Sequence, residues 1–329
     1  VKLAIVYNRD DHKLSTESYS QTYRHMFDAL IEHNEWENVQ HVTESCHSDD
    51  IDADIIIIYD IHSSHHIEIE DLKFHKSIKY TYFNDPHQPD VRGQYKDGTL
   101  VHKLGAQERI VRALQRGINF IICPYTDGYN KFIAPSLGED AELMFVWFPV
   151  APKRLSTISG SSKLLIKRHH KILANGHTWE GWEGFRPYAF RAWAHQRPQL
   201  SLVSHCLHSP HMYRGNSFHL MLNRFAAAVA LTDWYVVPKY LEIPLAGCLC
   251  FAQQNKDYER MGFKDNEHCI YVNRHNFDKA TKSFLQDIPF YQFIADNGRK
   301  LAENNYTAEH FAQYIFNHSK EQTDGSSNN

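Results

Sequence analysis

No stretch of this sequence approaches the roughly 18 to 20 consecutive apolar residues that a membrane-crossing helix needs. The opening VKLAIVYNRDD has an apolar run of strand length with no small-residue cleavage site after it, so it is expected to be folded structure and not a secretory signal. Charge of one sign is also scarce. Lys+Arg 35 against Asp+Glu 39 leaves a net charge of −4 with histidines neutral, which argues against a protein built to coat nucleic acid. The six cysteines show no metal-ligand spacing. Cys248 and Cys250 stand two apart in an apolar run, as on one strand face, and reduced, buried thiols in a cytoplasmic protein are the expected state. A G-x-x-x-x-G-K-[ST] loop is missing, so a P-loop kinase or ATPase is unsupported.

What is present is a globular chain. Apolar residues make up 42% and charged residues 22% of 329 positions, enough for two domains of about 150 residues each. The runs KLAIVY, ADIIIIYDIH (Ala53–His62), IKYTYFND (Ile78–Asp85), INFIICPY and ELMFVWFPVAP read as strands of the first half. Their continuous apolar character suits parallel strands covered on both faces. Between them Ser18 and Gln21 have capping-box spacing for a helix to about His33, and AQERIVRALQRG is a helix ending on Gly117. Ala151–Lys163, rich in Pro, Ser and Gly, reads as a linker. The pattern then restarts. HKILANGH, QLSLVSHCL, DWYVV and CLCFA are expected strands. FRPYAFRAWAH, SFHLMLNRFAAAVAL, PKYLEIPLAG and three C-terminal segments are expected helices, and KEQTDGSSNN a frayed tail. Alternation of strand and helix in both halves predicts two doubly wound parallel sheets, which bind ligands at the C-terminal ends of their strands.

That rule draws attention to YVVPKYLEIPLAGCLCFAQQN, where Lys239 and Glu242 stand three apart between two apolar runs. Pro238 suits a first helical turn and Gly247 a C-terminal cap. A lysine in the first turn of a helix is electrostatically misplaced unless an anion sits there too, and a phosphate resolves the conflict. Glu242, one turn on, suits the vicinal hydroxyls of a ribose. Against this stands a surface Lys–Glu pair worth a few tenths of a kcal/mol.

The second half resembles the nucleotide-binding domain of glycosyltransferases with the GT-B fold, of the "glycosyl transferases group 1" type found among spore-maturation-like and surface-polysaccharide enzymes. The likeness runs from about Asn175 to Thr307 and lies in GHTWEGWEGFRPYAFRAWA, in VVPKYLEIPLAGCLCFAQQNKDYERMGFKDNEHCIYV and in FYQFIADNGRKLAENNYT. It implies an α/β fold with two Rossmann-like domains facing across a cleft: an acceptor-side domain over 1–155, a nucleotide-sugar-binding domain over 156–318 whose last helix returns to the first, and a flexible tail over 319–329. It further implies that Glu242 binds the donor ribose, that Lys239 and Arg186 or Arg191 face the diphosphate, and that Tyr240 lies in the same site. Many retaining relatives carry a glutamate eight residues earlier. Here that position is Trp234, with Asp233 beside it, which departs from the pattern for the sugar contact.

Other polar clusters are ranked by their place on the sheets. Asn175, Gly176 and His177 follow the first strand of the second half, where the glycine lets a ligand approach the backbone. Asn8 and Arg9 follow the first strand of the chain, suited to touching donor or acceptor. Asp85 and His87 in NDPHQPD end another strand and are candidates for a general base on an acceptor hydroxyl. Asp60, His62, His65 and His66 have no standard zinc spacing and suit acceptor contact better than a metal. Asp52–Asp54 precedes its strand and reads as a turn, and Gly298 inside a helical pattern reads as close packing.

The expected function is therefore sugar transfer from a UDP- or GDP-sugar to a hydroxyl acceptor, metal-independent and retaining, with no cofactor besides the donor. The acceptor is a glycan or a small hydroxyl compound, with a modified nucleic-acid base less favoured. A nucleotide-sugar epimerase of the same fold and a non-catalytic sugar or nucleotide binder are the alternatives.

Overall fold

Four consecutive isoleucines, Ile55–Ile58, form the strand at the heart of the first sheet, and none is more than 8% exposed. β-Branched side chains fit a pleated surface covered on both sides. The computed structural model describes residues 1–11, 14, 21–59, 67–84, 91–94, 100–103, 105–137, 143–153, 164–176, 178, 188–203, 216–233 and 235–326. The chain divides into two units. One holds Val1–Ser15, Phe27–Pro149 and Phe311–Asn329, and the other Thr16–Met26 and Val150–His310.

The first unit carries β1 (Lys2–Val6), most of α1 (Thr22–Ile31), β2 (Asn38–Val42), β3 (Cys46–His47), β4 (Ile55–Ile58), β5 (Ile69–Glu70), β6 (Ile78–Tyr82), β7 (Val91–Gln94), β8 (Leu100–Lys103), α2 (Ala106–Gln115), β9 (Phe120–Cys123), the single turn α3 (Thr126–Gly128) and β10 (Met144–Trp147). Its main sheet has the order β10-β9-β6-β4-β1-β2, with every neighbouring pair parallel. Small ribbons pair β3 with β5 and β7 with β8. The half-polar edge strand β2 carries no apolar run, which is why the sequence gives no sign of it. Gly117 closes α2 at φ +64° as expected. Asp52 and Asp54 form the expected turn at the N-terminal edge of β4, where Lys2 Nζ meets Asp52 Oδ2 at 2.8 Å and the Lys2 amide donates to Asp54 Oδ2.

The second unit carries β11 (His169–Asn175), α4 (Ala189–Ala194), β12 (Leu200–Val203), α5 (Asn216–Leu222), β13 (Phe225–Ala230), α6 (Lys239–Leu245), β14 (Leu249–Gln253), α7 (Lys256–Arg260), β15 (Ile270–Val272), α8 (Phe277–Gln286) and α9 (Gln292–Asn305); α10 (Ala308–Ser326) begins there and has most of its length in the first unit. The sheet order is β12-β11-β13-β14-β15, again all parallel. Both sheets thus repeat one plan. The chain makes its first strand, adds the second outside it, then crosses back to the other side. The order reverses between β1 and β4 in one sheet and between β11 and β13 in the other, and such a reversal opens a crevice beyond the strand ends.

Three readings of the sequence need correction. SFHLMLNRFAAAVAL is not one helix: α5 stops at Leu222, the chain turns at Asn223, and Phe225–Ala230 is the central strand β13. Alanine favours helices, and a short apolar run has no period that separates strand from buried helix. The flanking ladders of β11 and β14 settle the matter, and Ala226, Ala227, Ala228 and Ala230 are fully buried. The described residues of DWYVV are accordingly loop and not strand. Finally, α10 runs on through much of the expected tail to Ser326. Gly298 behaves as expected: a Cβ there would collide with the His268 carbonyl oxygen.

Candidate functional site

The site grows from the reversal between β11 and β13. β11 ends in Ala174-Asn175, both almost wholly buried, and Gly176 follows with φ +108°, a conformation open to glycine and strained for other residues. From α6, Lys239 reaches back to this strand end. Its ammonium donates to the Asn175 carbonyl at 2.6 Å. From α4 comes Arg191, 5% exposed, whose Nε donates to the Leu231 carbonyl just beyond β13 at 3.0 Å. Its guanidinium lies 4.1 Å over the Tyr188 ring, whose hydroxyl meets that of Tyr235 at 3.0 Å. A Cβ on Gly176 would collide with Lys239 Nζ and lie 3.2 Å from an Arg191 terminal nitrogen. Two cations are therefore anchored to carbonyls at the ends of neighbouring strands, with a glycine between them. Burying them is costly, and the Glu242 and Asp233 carboxylates offset part of that cost. Burial pushes the Lys239 pKa well below that of an ordinary lysine, Arg191 pushes it further, and Glu242 opposes them. Lys239 makes no ion pair among the described residues.

α6 is held from several sides. Pro238 is its N-cap, and Gly247 at φ +67° ends it. Pro244 lies inside the helix and has no N–H for the Tyr240 carbonyl. The Tyr258 hydroxyl supplies that bond at 3.1 Å. Glu242, one turn after Lys239, is 1% exposed, and its Oε1 accepts from the Thr22 hydroxyl of α1 at 2.8 Å. It is an interior carboxylate, so a ribose hydroxyl at Oε1 has to compete with Thr22. Tyr240 is fully buried. Its hydroxyl donates to the Gln253 carbonyl at 2.9 Å and its ring meets Tyr258 edge-on, so it supports the strand ends from within the core.

Sequence reasoning overlooked His195 and Tyr188 and noted Asp233 only for its place beside Trp234. His195 caps α4, its Nε2 lacks a hydrogen bond among the described residues, and burial, Arg191 and Lys239 lower its pKa to about 4. Tyr188 carries Arg191. Asp233, whose carboxyl pKa is raised by burial, accepts from the Gln253 amide. None of these stands in a motif, and only the fold brings them together.

In the first unit, Asn8 and Arg9 follow β1 at the corresponding reversal; Asn8 Oδ1 accepts from the Asp10 amide at 2.9 Å and Arg9 is exposed. Asp85, His87, Arg186, His177, Trp234, Asp60, His62, His65 and His66 lie outside the described residues. Among the described residues no three His, Cys, Asp or Glu side chains group to hold a metal, and no helix is long and apolar enough to cross a membrane. The five described cysteines are unpaired thiols, and all but Cys46 are buried.

Residues 163–317 match the family described as Glycosyl transferase-like. No curated protein sequence matches the chain. Solved structures share its fold at low identity. HepE from Anabaena, in complex with UDP and glucose, superposes with a TM-score of 0.57 at 9% identity, over 96% of this chain and 98% of its own. A glycosyltransferase from Rickettsia africae ESF-5 gives 0.59 at 8% identity, over 97% and 98%. An alpha-glucosyltransferase in complex with UDP and a 13-mer DNA containing a central A:G mismatch gives 0.57 at 10% identity, over 97% and 99%. The expected doubly wound fold is thus the observed one. The chain has the GT-B fold, and its residues 163–317 are similar to the glycosyl transferase-like family.

Proposed function

We propose that this chain is a glycosyltransferase that takes its sugar from a nucleoside-diphosphate sugar, held by the second unit, and passes it to a hydroxyl acceptor. The observation that carries this reading is the seating of Lys239 and Arg191 on the carbonyls that end β11 and β13, around Gly176. A diphosphate there would meet an ammonium and a guanidinium at once. It would also return to Lys239 the proton that burial disfavours. As the glycosidic bond breaks, negative charge grows on the departing diphosphate, and the same two groups are placed to stabilise it; such stabilisation is commonly the largest catalytic contribution.

Glu242 is assigned to the ribose, through the oxygen that Thr22 now engages or by exchange with it. Tyr240 is kept as a support of that pocket. Gly176, His177 and Arg186 are assigned to the donor side, and Asn8 and Arg9 to donor or acceptor. The reaction is proposed to be retaining and metal-independent, with the leaving phosphate taking the acceptor proton. Asp85 or His87 would be the base of an inverting reaction. No cofactor besides the donor is proposed. UDP is the first nucleotide to try, because HepE and the alpha-glucosyltransferase were solved with it. The acceptor is proposed to be a glycan or small hydroxyl compound in the cytoplasm. A modified base is the third class to assay, since the alpha-glucosyltransferase was solved with DNA.

Calorimetry with UDP, GDP and their glucose conjugates tests the reading. Wild type should bind one nucleotide, and Lys239→Met and Arg191→Ala should each abolish or sharply weaken binding. Undiminished binding in both variants would sink it. Product anomeric configuration, read by NMR with Asp85→Asn and His87→Ala alongside, decides between retention and inversion.

A further inference from the structure

The second unit carries an apolar face that no part of the proposed mechanism uses. The short turn Leu165–Lys167 leads into β11, and the turn Ile288–Tyr291 leads into α9. Leu165 is fully buried and Ile288 and Ile294 nearly so, all in the apolar core of this unit. With those three side chains turned inward, their neighbours Leu164, Ile166, Phe290 and Phe293 are left between 42% and 61% exposed. The Leu165 amide donates to Gln292 Oε1 at 2.7 Å, which ties the two turns together. The Phe290 and Phe293 rings stand perpendicular with centroids 6.2 Å apart. Single exposed apolar side chains are ordinary, whereas a cluster of large ones marks a binding face.

Charge around this face is sorted by element. Lys167 and Lys171 are exposed beside the first turn, and Asp287 and Asp296 are exposed beside the second. Asp287 Oδ1 accepts from the Phe290 amide at 3.3 Å, and Asp296 Oδ1 accepts from the Gln292 side-chain amide at 2.9 Å. None of the four makes an ion pair among the described residues. An apolar centre with cations on one side and carboxylates on the other complements itself under a two-fold rotation, which sets each side of one copy against the opposite side of the other. An anionic membrane would be repelled by the two carboxylates, and the chain as a whole carries a net charge of −4.

We propose that this face is an interface between two copies of the chain, packed about a two-fold axis. Leu164 and Ile166 of each copy meet Phe290 and Phe293 of the other, and Lys167 of each faces Asp296 of the other. The face adjoins the start of β11, whereas the candidate site lies at the end of that strand, roughly 20 Å away at about 3.3 Å per residue. The inference therefore does not rest on the proposed function.

Sedimentation velocity of the full chain, from low micromolar to several hundred micromolar, tests it. Wild type should dimerise with a dissociation constant in the micromolar range, as befits a small interface. Phe290→Glu should weaken the dimer by at least about tenfold, since a central aromatic anchor is lost twice in a symmetric pair. Ile166→Glu should do the same, and its measurement stands if the Phe290 variant fails to fold. Lys167→Glu and Asp296→Lys should each weaken the dimer, and the two combined should restore it, because the exchanged charges attract again across the axis. A wild type that stays monomeric throughout the series overturns the proposal, as does a dimer indifferent to both glutamate variants. A double charge exchange weaker than either single change overturns the two-fold pairing. Wild type that stays monomeric yet pellets with phosphatidylglycerol vesicles, and loses that in Phe290→Glu, would assign the face to a membrane surface instead.

Discussion

The two parallel sheets share one strand order and differ in what stands where that order reverses. Beyond β1, the first unit places Asn8 and an exposed Arg9 in a polar turn where Asn8 accepts from the Asp10 and Asp11 amides. Beyond β11 and β13, the second unit places a lysine and a buried arginine that reach across from two helices and end on strand carbonyls. Topology makes the same crevice twice, whereas the side chains it receives decide what each crevice binds. A local, solvated turn adapts to varied partners at little cost in stability. A buried pair of cations is costly to hold, and an anionic ligand would offset part of that cost.

The contrast can be broken most directly by mutation. Lys239→Met should lower the transfer rate by about 10²–10³-fold, the usual scale for removing one donor to developing charge. Asn8→Ala and Arg9→Ala should leave nucleotide affinity near wild type in calorimetry; equal losses on both sides would erase the division of roles. Nucleotide affinity should also fall as pH rises, starting well below the usual lysine range, because only protonated Lys239 attracts the anion, and the binding enthalpy should vary with the buffer's own ionisation enthalpy.

Acid sharpens the comparison next. The second unit buries His219 completely, with neither ring nitrogen bonded among the described residues, and stacks it at 6.1 Å on His25. Burial lowers both pKa values from 6.5 to about 4. The unfolded chain therefore takes up protons between these values while the fold does not. Stability is fully present above pH 6.5 and falls as pH drops toward 4, by about 3 kcal/mol for His219 alone. Denaturation followed from pH 7 to 4 should show this slope, and His219→Gln should flatten it.

Smaller effects come from single hydrogen bonds. Thr22→Val removes the Thr22 hydroxyl bond to the buried Glu242 carboxylate and should cost about 2 kcal/mol in urea denaturation, with Thr22→Ser close to wild type. Tyr258→Phe removes the hydroxyl that bonds the Tyr240 carbonyl opposite Pro244 and should cost about 1 kcal/mol.

Much of this was legible in the residues themselves. Isoleucine runs announced the first sheet, Gly117 and Gly247 marked helix ends, and the Lys239–Glu242 pair pointed to the site. What stayed hidden was the strand of alanines and everything that depends on long-range packing. Thr22 lies 220 positions from Glu242. Asn175 reads as a turn residue until its side chain is seen buried and unpartnered. His195 and Tyr188 gain their roles only from the helix that carries Arg191. Sequence periods report which face of an element is apolar, but not which polar groups the fold will bring together in its interior.

The Thr22–Glu242 bond also bears on how the molecule can be divided. The family match begins at residue 163, yet the compact second unit recruits Thr16–Met26 from near the other end of the chain. An excised fragment spanning 163–317 would lose Thr22 from its glutamate and His25 from its histidine stack. Such a piece is expected to expose apolar surface and to be recovered mainly as aggregate. Supplying the early helix as a separate peptide, or permuting the chain so that it leads into Val150, is the way to obtain that half intact.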